Sequence, residues 1–435
     1  MSLDTKPYKG ARDFFPEDKR LQKYIFQQWR KVCESFGYEE YDAPLLEPLE
    51  LYTAKTSEEI VNEQTYSFED RGGRKVVIRP EMTPTVSRMV AARRQELQYP
   101  VRWYSIPNLW RYERAQRGRF REHWQLNVDL FGVDNIAADF EMINVSNEIM
   151  RSFDAKDSMY KILVSSRKLI NFALDEYLGL TETQSQTMIR LIDRKDKMDA
   201  SDFIAKIDAV VTPSQREKGL TEDIIDLLNI SKLSELPDMV EAHDSVKELH
   251  QLLDMCSSAG IKNVEFDITL MRGFDYYTDI VFEVKDKDPK NNRSMFGGGR
   301  YDGLVAKFGV EPVPTVGFGM GEATMINFLE AHNLTPQLKS ETDVCVVLIG
   351  DVYKLAQPII KDLRGMGVNV SVDTTGRKLD KQLKTVDKRG VNYVLFMGQD
   401  EIKEARFKLK NLKTGEEGTY SLERLVTVVK DKRTS

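Results

Sequence analysis

One stretch whose two faces differ in chemistry constrains this chain more than any other. From Arg121 to Leu130, the residues Arg121, His123, Gln125, Asn127 and Asp129 alternate with Trp124, Leu126, Val128 and Leu130. Successive side chains of an extended chain point to opposite faces, so this is a strand with one apolar, buried face and one row of polar groups. Just upstream, Arg111 and Glu113 share a face opposite Trp110 and Tyr112, which reads as a second extended run. Between the two runs, Arg114, Arg117, Arg119 and Arg121 crowd into eight residues. A half-buried surface strand and a solvated turn account for this pattern. So does a sheet-borne floor for a polyanionic ligand, because the delocalised fork of arginine matches phosphate better than the point charge of lysine.

The 435 residues suffice for two to three domains, and 41 % hydrophobic with 30 % charged residues supports a sizeable core. A net charge of −6 excludes a wholly basic nucleic-acid coat but leaves room for local basic patches. Cys33, Cys256 and Cys345 are far apart and form no C-x-x-C pair. That argues against a disulfide framework or a cysteine-rich zinc site and fits a reducing cytoplasm. No apolar run reaches membrane-spanning length, and the polar N-terminus is no signal peptide, so no membrane partner is expected.

Helical spacing of Leu21, Tyr24, Ile25, Trp29, Val32 and Phe36 predicts a helix from Glu17 to Phe36, ended by Gly37 and followed by a strand over Tyr38–Tyr41. Tyr66–Phe68 and Lys75–Arg79 flank Asp70-Arg71-Gly72-Gly73-Arg74, a hairpin signature. Thr83 followed by Pro84 predicts a helix start with Thr83 as N-cap, and Glu81 stands just before it. A carboxylate there either answers the helix dipole or binds a ligand. Helix is predicted over Ala137–Ser152, strand over 158–165, and helices through 166–260, where His243 and His250 share a face without an evident third metal ligand. Strand returns over Asn263–Thr269 and Val281–Val284. The glycines of Phe296-Gly297-Gly298-Gly299-Arg300-Tyr301-Asp302 suit a tight strand–helix junction or a close backbone approach to a ligand. After a polar linker, strands over Val344–Ile349, Val368–Val372 and Tyr393–Met397 alternate with helices 352–366 and 376–389, predicting a small α/β domain. Lys378, Lys381, Lys384 and Lys388 recur at helical spacing there, as a solvated face or one apt for RNA phosphates.

Several of these strings carry a family resemblance. Arg111-Tyr112-Glu113, the basic loop and Arg119-Phe120-Arg121-Glu122-His123-Trp124-Gln125 resemble motif 2 of class II aminoacyl-tRNA synthetases. The helix, strand and Pro44 near the N-terminus resemble motif 1, the dimer-forming element, although a plain packed helix reads equally well. Gly10-Ala11-Arg12-Asp13-Phe14-Phe15-Pro16, Leu270-Met271-Arg272-Gly273-Phe274-Asp275-Tyr276-Tyr277 and Gly298-Gly299-Arg300-Tyr301-Asp302 narrow the likeness to the histidyl-tRNA synthetases. The implied fold is an α+β catalytic domain with an antiparallel sheet, residues 1–165 and 261–331, interrupted by a helical insertion, 166–260. A linker, 332–342, leads to a C-terminal α/β anticodon-binding domain, 343–435. The implied molecule is a homodimer that uses ATP and Mg²⁺ to join histidine to tRNA(His).

The resemblance also implies residue roles. Glu81, Met82, Thr83, Gln125, Asp129, Arg272, Tyr276 and Tyr277 would bind histidine, with Asp129 and Tyr277 on the imidazole nitrogens. Arg111, Glu113, Arg119 and His123 would bind ATP, and Arg111 and Arg272 would flank the reacting α-phosphate. The chain departs from the family pattern in three places. Asp129 stands where glutamate is usual, so direct contact with the ligand could give way to a water bridge. His123 stands where an adenine-stacking phenylalanine is usual. Thr324, after Val316-Gly317-Phe318-Gly319-Met320-Gly321-Glu322-Ala323, stands where motif 3 carries an arginine facing the ATP phosphates. Two alternatives are the non-catalytic regulatory subunit of ATP phosphoribosyltransferase, which resembles the catalytic core, and a class II synthetase for another amino acid.

Overall fold

The computed structural model describes residues 3–53, 64–113, 120–195, 198–271, 276–291 and 294–431, in two compact units, Met1–Thr335 and Pro336–Ser435. The strands of the first unit are β1 (Glu39–Glu40), β2 (Leu46–Pro48), β3 (Tyr66–Glu69), β4 (Lys75–Ile78), β5 (Val101–Ser105) and β6 (Asn108–Trp110). They continue as β7 (Glu122–Phe131), β8 (Tyr160–Ser166), β9 (Val264–Phe266), β10 (Ile280–Asp286), β11 (Ser294–Arg300) and β12 (Thr315–Gly321). The large sheet runs β1-β5-β7-β12-β11-β10-β8-β9, with β6 paired to the start of β7. Its centre, from β5 to β8, is antiparallel as expected. Both edges depart from that expectation, since β1 pairs with β5 and β8 with β9 in parallel. Each parallel pair joins strands far apart in sequence, which is what a parallel crossover requires.

The alternation in β7 is realised across this sheet. Leu126, Val128 and Leu130 are buried in one cluster with Trp29 of the helix Pro16–Ser35 and with Met142 and Ile143 of the helix Ile136–Arg151. Burying each such side chain is worth roughly 1.5–3 kcal/mol, so a one-residue slip of β7 would forfeit the face. The first helix starts at Pro16, where a missing N–H costs nothing, and Asp18 accepts the Phe15 N–H at 3.2 Å. It stops before Gly37, whose φ of +80° suits glycine. Asn135 caps the second helix by accepting the Ala137 N–H at 3.0 Å.

Four sequence expectations change. The strand expected over Tyr38–Tyr41 shortens to β1, and that over Asn263–Thr269 to β9. Thr83 is not an N-cap: Met82 already has helical dihedrals and its carbonyl accepts the Val86 N–H at 2.9 Å, so Thr83 becomes the first residue of the helix Thr83–Ala92. Gly297, Gly298 and Gly299 do not form a strand–helix junction but lie inside β11, hydrogen-bonded on both sides by β10 and β12. The hairpin is as expected: β3 pairs with β4, and β2 completes a small separate sheet. Helices from Arg167 to Ser258 follow β8 and share the main core through residues such as Leu169, Ile207 and Leu252.

The second unit has its own core. Its strands are β13 (Val344–Leu348), β14 (Val370–Asp373), β15 (Tyr393–Met397), β16 (Phe407–Asn411) and β17 (Glu417–Tyr420), in the order β14-β13-β15-β16-β17. The first three pair in parallel and the last two add antiparallel to that edge. Lys381, Lys384 and Lys388 lie exposed on the helix Leu379–Lys388, whose Gln382 and Val386 are buried; Lys378 precedes the helix and is also exposed.

Candidate active site

The polar face of β7 looks across a floor without side chains. Directly paired residues of antiparallel strands point to the same face. Asp129 pairs with Gly317 and Gly317 with Gly299; Asn127 pairs with Gly319 and Gly319 with Gly297. Beyond the glycines stand Val281 and Glu283 of β10. Two adjacent strands therefore present bare backbone, and the walls on β7 and β10 stand three strand spacings, about 14 Å, apart. The glycines are required by what lies over them. A Cβ on Gly317 would meet the Val128 carbonyl at 2.6 Å and the Tyr301 hydroxyl at 3.0 Å; one on Gly319 would meet Gln125 at 2.9 Å.

Over this floor the chain gathers most of the expected residues. Glu81, Thr83, Arg111, Gln125, Asp129, Tyr276 and Tyr277 all line one cleft. The loop bearing Glu81 is fixed from below. Buried Arg79 donates to the Ala43 carbonyl at 2.6 Å and to the Asn108 carbonyl at 3.1 Å, and Arg111 Nε donates to the Pro80 carbonyl at 2.9 Å. Tyr276 donates to Glu81 Oε2 at 3.4 Å. Thr83, the first residue of its helix, lines the cleft as well. Met82 is different: its side chain is fully buried, with its sulfur 3.9 Å from Arg79 Nη1, and supports the loop rather than lining the cleft. Glu113 and His123 also lie outside the lining; the Glu113 carbonyl accepts from Arg121 Nε at 3.2 Å. Arg119 and Arg272, like the loop residues Arg114 and Arg117, fall outside the described residues.

At the closed end, Asp129 is buried and accepts a hydrogen bond from Tyr301 through Oδ1, while Oδ2 has no partner among the described residues. Burial raises its pKa to about 7, against the smaller, opposing effect of the Tyr301 hydrogen bond. The Tyr301 ring meets those of Tyr276 and Tyr277 edge-on, with centroids 5.6 and 6.5 Å apart. A carboxyl poised to give up or keep its proton near neutrality, inside an aromatic wall, suits a small nitrogen heterocycle with one N–H to donate. At the other end, burial and the nearby charges of Arg111 and Arg12 lower the His123 pKa to about 3, so its imidazole is neutral. Among the described residues no cluster of three or more His, Cys, Asp or Glu side chains is set to hold a metal ion. His243 does not pair with His250 in such a site: it caps the helix Asp244–Ser258 and stacks on Phe172 with centroids 4.2 Å apart.

Residues 10–324 match the family model for histidyl-tRNA synthetase, and residues 343–432 match that for an anticodon-binding domain. The chain belongs to the histidyl-tRNA synthetase family. The histidine–tRNA ligase of Leptospira biflexa is 39 % identical over 99 % of this chain and 98 % of its own length. That of Thermococcus kodakarensis is 36 % identical over 96 % of each. The crystal structure of histidyl-tRNA synthetase from Nostoc sp. has the same fold, with a TM-score of 0.83 at 24 % identity, covering 99 % of this chain and all of that one.

Within the histidyl-tRNA synthetase pattern, the structure separates roles that one signature string had held together. Arg300 turns away from the cleft. It is buried against Asp139 at 3.2 Å and donates to the Val133 and Asn135 carbonyls, which pins the start of the helix Ile136–Arg151. Asp302 accepts the Thr315 N–H at 2.8 Å. Only Tyr301 of the three reaches the cleft, and sequence reasoning had given it no role. Asn127, seen in the polar row, and Gly317 and Gly319 were likewise unassigned. The alternation and the glycine spacing were the available signals.

Proposed function

We propose that this protein is a histidine–tRNA ligase. Histidine and ATP form histidyl-adenylate with release of pyrophosphate, and the histidyl group then passes to a terminal ribose hydroxyl of tRNA(His). The observation that carries the reading is the convergence of Glu81, Arg111, Gln125, Asp129 and Tyr301 on one glycine floor, in a chain whose full length matches histidine–tRNA ligases. The match of residues 343–432 to an anticodon-binding domain favours the ligase over a regulatory subunit of ATP phosphoribosyltransferase.

In this reading the imidazole enters the closed end, its N–H donating to Asp129 and its other nitrogen facing Tyr277. Glu81, Thr83 and Gln125 hold the α-amino group, and the carboxylate is left pointing along the floor towards Arg111. Activation is a displacement at the α-phosphate, so the protein contributes positioning and neutralisation of charge rather than a covalent step. Arg111, tied to Pro80, is held in place for that task, with Arg272 as its expected counterpart. Glu113, Arg119 and His123 belong to the ATP side. Mg²⁺ takes one or two carboxylates together with substrate phosphates rather than a preformed cage, so we assign it to the ATP-bound state, where it supplies charge neutralisation.

The proposal extends to a homodimer working in the cytoplasm and to the boundaries given above for the insertion, residues 166–260, and the linker, 332–342. Three buried free cysteines and the lack, among the described residues, of any helix long and apolar enough to cross a membrane are compatible with that setting. The test is histidine-dependent exchange of labelled pyrophosphate into ATP, run against the other amino acids, followed by charging of tRNA(His). Folded protein that exchanges with no amino acid at saturating ATP and Mg²⁺ would move the chain to the regulatory reading.

A further inference from the structure

The N-terminal signature Gly10–Pro16 was unexplained by the site, yet it is laid along the start of β7. The Gly10 carbonyl accepts the Arg121 N–H at 2.8 Å, and Phe14 meets Trp124 edge-on with centroids 5.2 Å apart. The Arg12 guanidinium lies over the Phe120 ring, 3.9 Å from its centroid. Its Nη2 donates to Glu322 Oε2 at 2.7 Å, and Glu322 is the first residue of the helix Glu322–Ala331 that follows β12. Glu322 is wholly buried, whereas the Arg12 side chain keeps 22 % of its surface exposed. A cation brought from residue 12 is thus seated on the same helical turn that carries Thr324. The Thr324 hydroxyl is itself spent on backbone, donating to the Gly321 and Met295 carbonyls at 2.8 and 2.9 Å.

Among the described residues, three polar atoms of this cluster are buried without a partner: Arg12 Nε, Glu322 Oε1 and His123 Nδ1. Buried polar atoms are usually bonded, so three together leave room here for a partner that the described residues do not supply. Arginine–carboxylate pairs are frequently bidentate, with both oxygens on the guanidinium fork. Here one oxygen holds Arg12 and the other has no partner among the described residues, which orients the cation without exhausting its donors. The charges of Arg12 and of Arg111, which lines the cleft, both act on the His123 ring.

We infer that Arg12 is a phosphate-binding residue of the ATP subsite, aimed by Glu322 and backed by Phe120, and that it supplies the cation that Thr324 does not. The inference rests on the ligase reading. It makes the N-terminal segment part of the nucleotide site rather than a mere strap on the sheet.

The experiment compares wild type with Arg12→Gln, Arg12→Lys, Thr324→Arg and the double variant Arg12→Gln/Thr324→Arg. KM for ATP, KM for histidine and kcat are measured in pyrophosphate exchange, with Tm alongside. Arg12→Gln is expected to raise KM for ATP about tenfold or more, with histidine KM within about twofold, the split expected when one charged donor to a single substrate is lost. Arg12→Lys should fall between, since the charge stays and the fork is lost. Thr324→Arg should recover much of the ATP affinity in the Arg12→Gln background. Calorimetric titration of each protein with Mg²⁺-ATP in the absence of histidine should show the same ranking. If the wild type lacks exchange activity the ligase reading fails, and the titration alone still tests Arg12. An ATP affinity for Arg12→Gln within twofold of wild type, or a joint rise of both KM values with a lowered Tm and no recovery by Thr324→Arg, would overturn the inference and leave Arg12 a structural strap.

Discussion

Asp129 joins two conflicting demands. It must be buried to face a heterocycle, and burial without a matching donor makes its charge costly. Because the folded carboxyl holds its proton up to about pH 7 while an unfolded one releases it near pH 3.9, the folded state binds more protons between these values. Stability therefore falls as pH rises through that window, by at most about 4 kcal/mol. Asp129→Asn should remove this slope: its Tm should exceed wild type at pH 8 and match it near pH 4, while KM for histidine rises far more than KM for ATP. Melting curves from pH 4 to 8 check the first part; equal slopes in the two proteins would show that the Asp129 pKa is ordinary. Arg111→Ala should lower kcat for exchange by about 10²–10³, the usual cost of one lost charge-stabilising donor. Activity within a few-fold of wild type would remove Arg111 from the chemistry. At this scale the sequence was readable where chemistry and period coincide, as in the row from Arg121 to Asp129. It was silent on partnerships made across the fold. Nothing local ties Tyr301 to Asp129, or Arg12 to Glu322 310 positions away.

At the scale of elements, the glycine pairs of β11 and β12 decide the width of the site. Gly317→Ala should raise KM for histidine about tenfold or more and cost roughly 1–3 kcal/mol of stability, because the added methyl meets a backbone carbonyl and the Tyr301 hydroxyl together. Parallel kinetics and denaturant melts on this variant read both effects; a neutral result would mean the floor can yield. Of the two readings open for the β11 glycines, the strand–helix junction fails for a physical reason. Glycine weakens a strand and favours a turn, so a run of three reads as a break. Only a partner strand with glycines in register turns the break into a surface. Thr83 was misjudged in a similar way, since Thr-Pro marks a helix start to within a residue but Met82 had already adopted helical dihedrals. The capping of the helix Ile136–Arg151 gives a cleaner test. Asn135→Ala should cost about 1 kcal/mol and leave both KM values unchanged, because the cap lies behind the sheet core rather than at the cleft.

For the whole molecule, two cores imply two folding units. Residues 336–435 alone should melt cooperatively on the strength of the cluster around Val346, Ile360 and Leu395. Residues 1–335 alone should keep histidine-dependent pyrophosphate exchange but lose most charging of tRNA. Calorimetry on the small fragment and the two assays on the large one check this; a fragment 1–335 that charges tRNA normally would show that the C-terminal unit is dispensable. The division into a sheet domain, a helical stretch and a small α/β unit was visible because period changes along the chain, from two to helical and back. The parallel edges were not visible, because β1 and β9 are too short to announce a direction. The order in which the central sheet is assembled has a consequence for how the protein is made. β7 is translated early, but its neighbour β12 follows only after the helices up to Ser258 and the strands β8 to β11. Until residue 321 leaves the ribosome, one long edge of β7 has no strand to pair with, and the half-built sheet is open to pairing with other chains. Nascent chains released before that point should therefore be the most chaperone-dependent and aggregation-prone, and those released just after it should be the first able to hold a nucleotide.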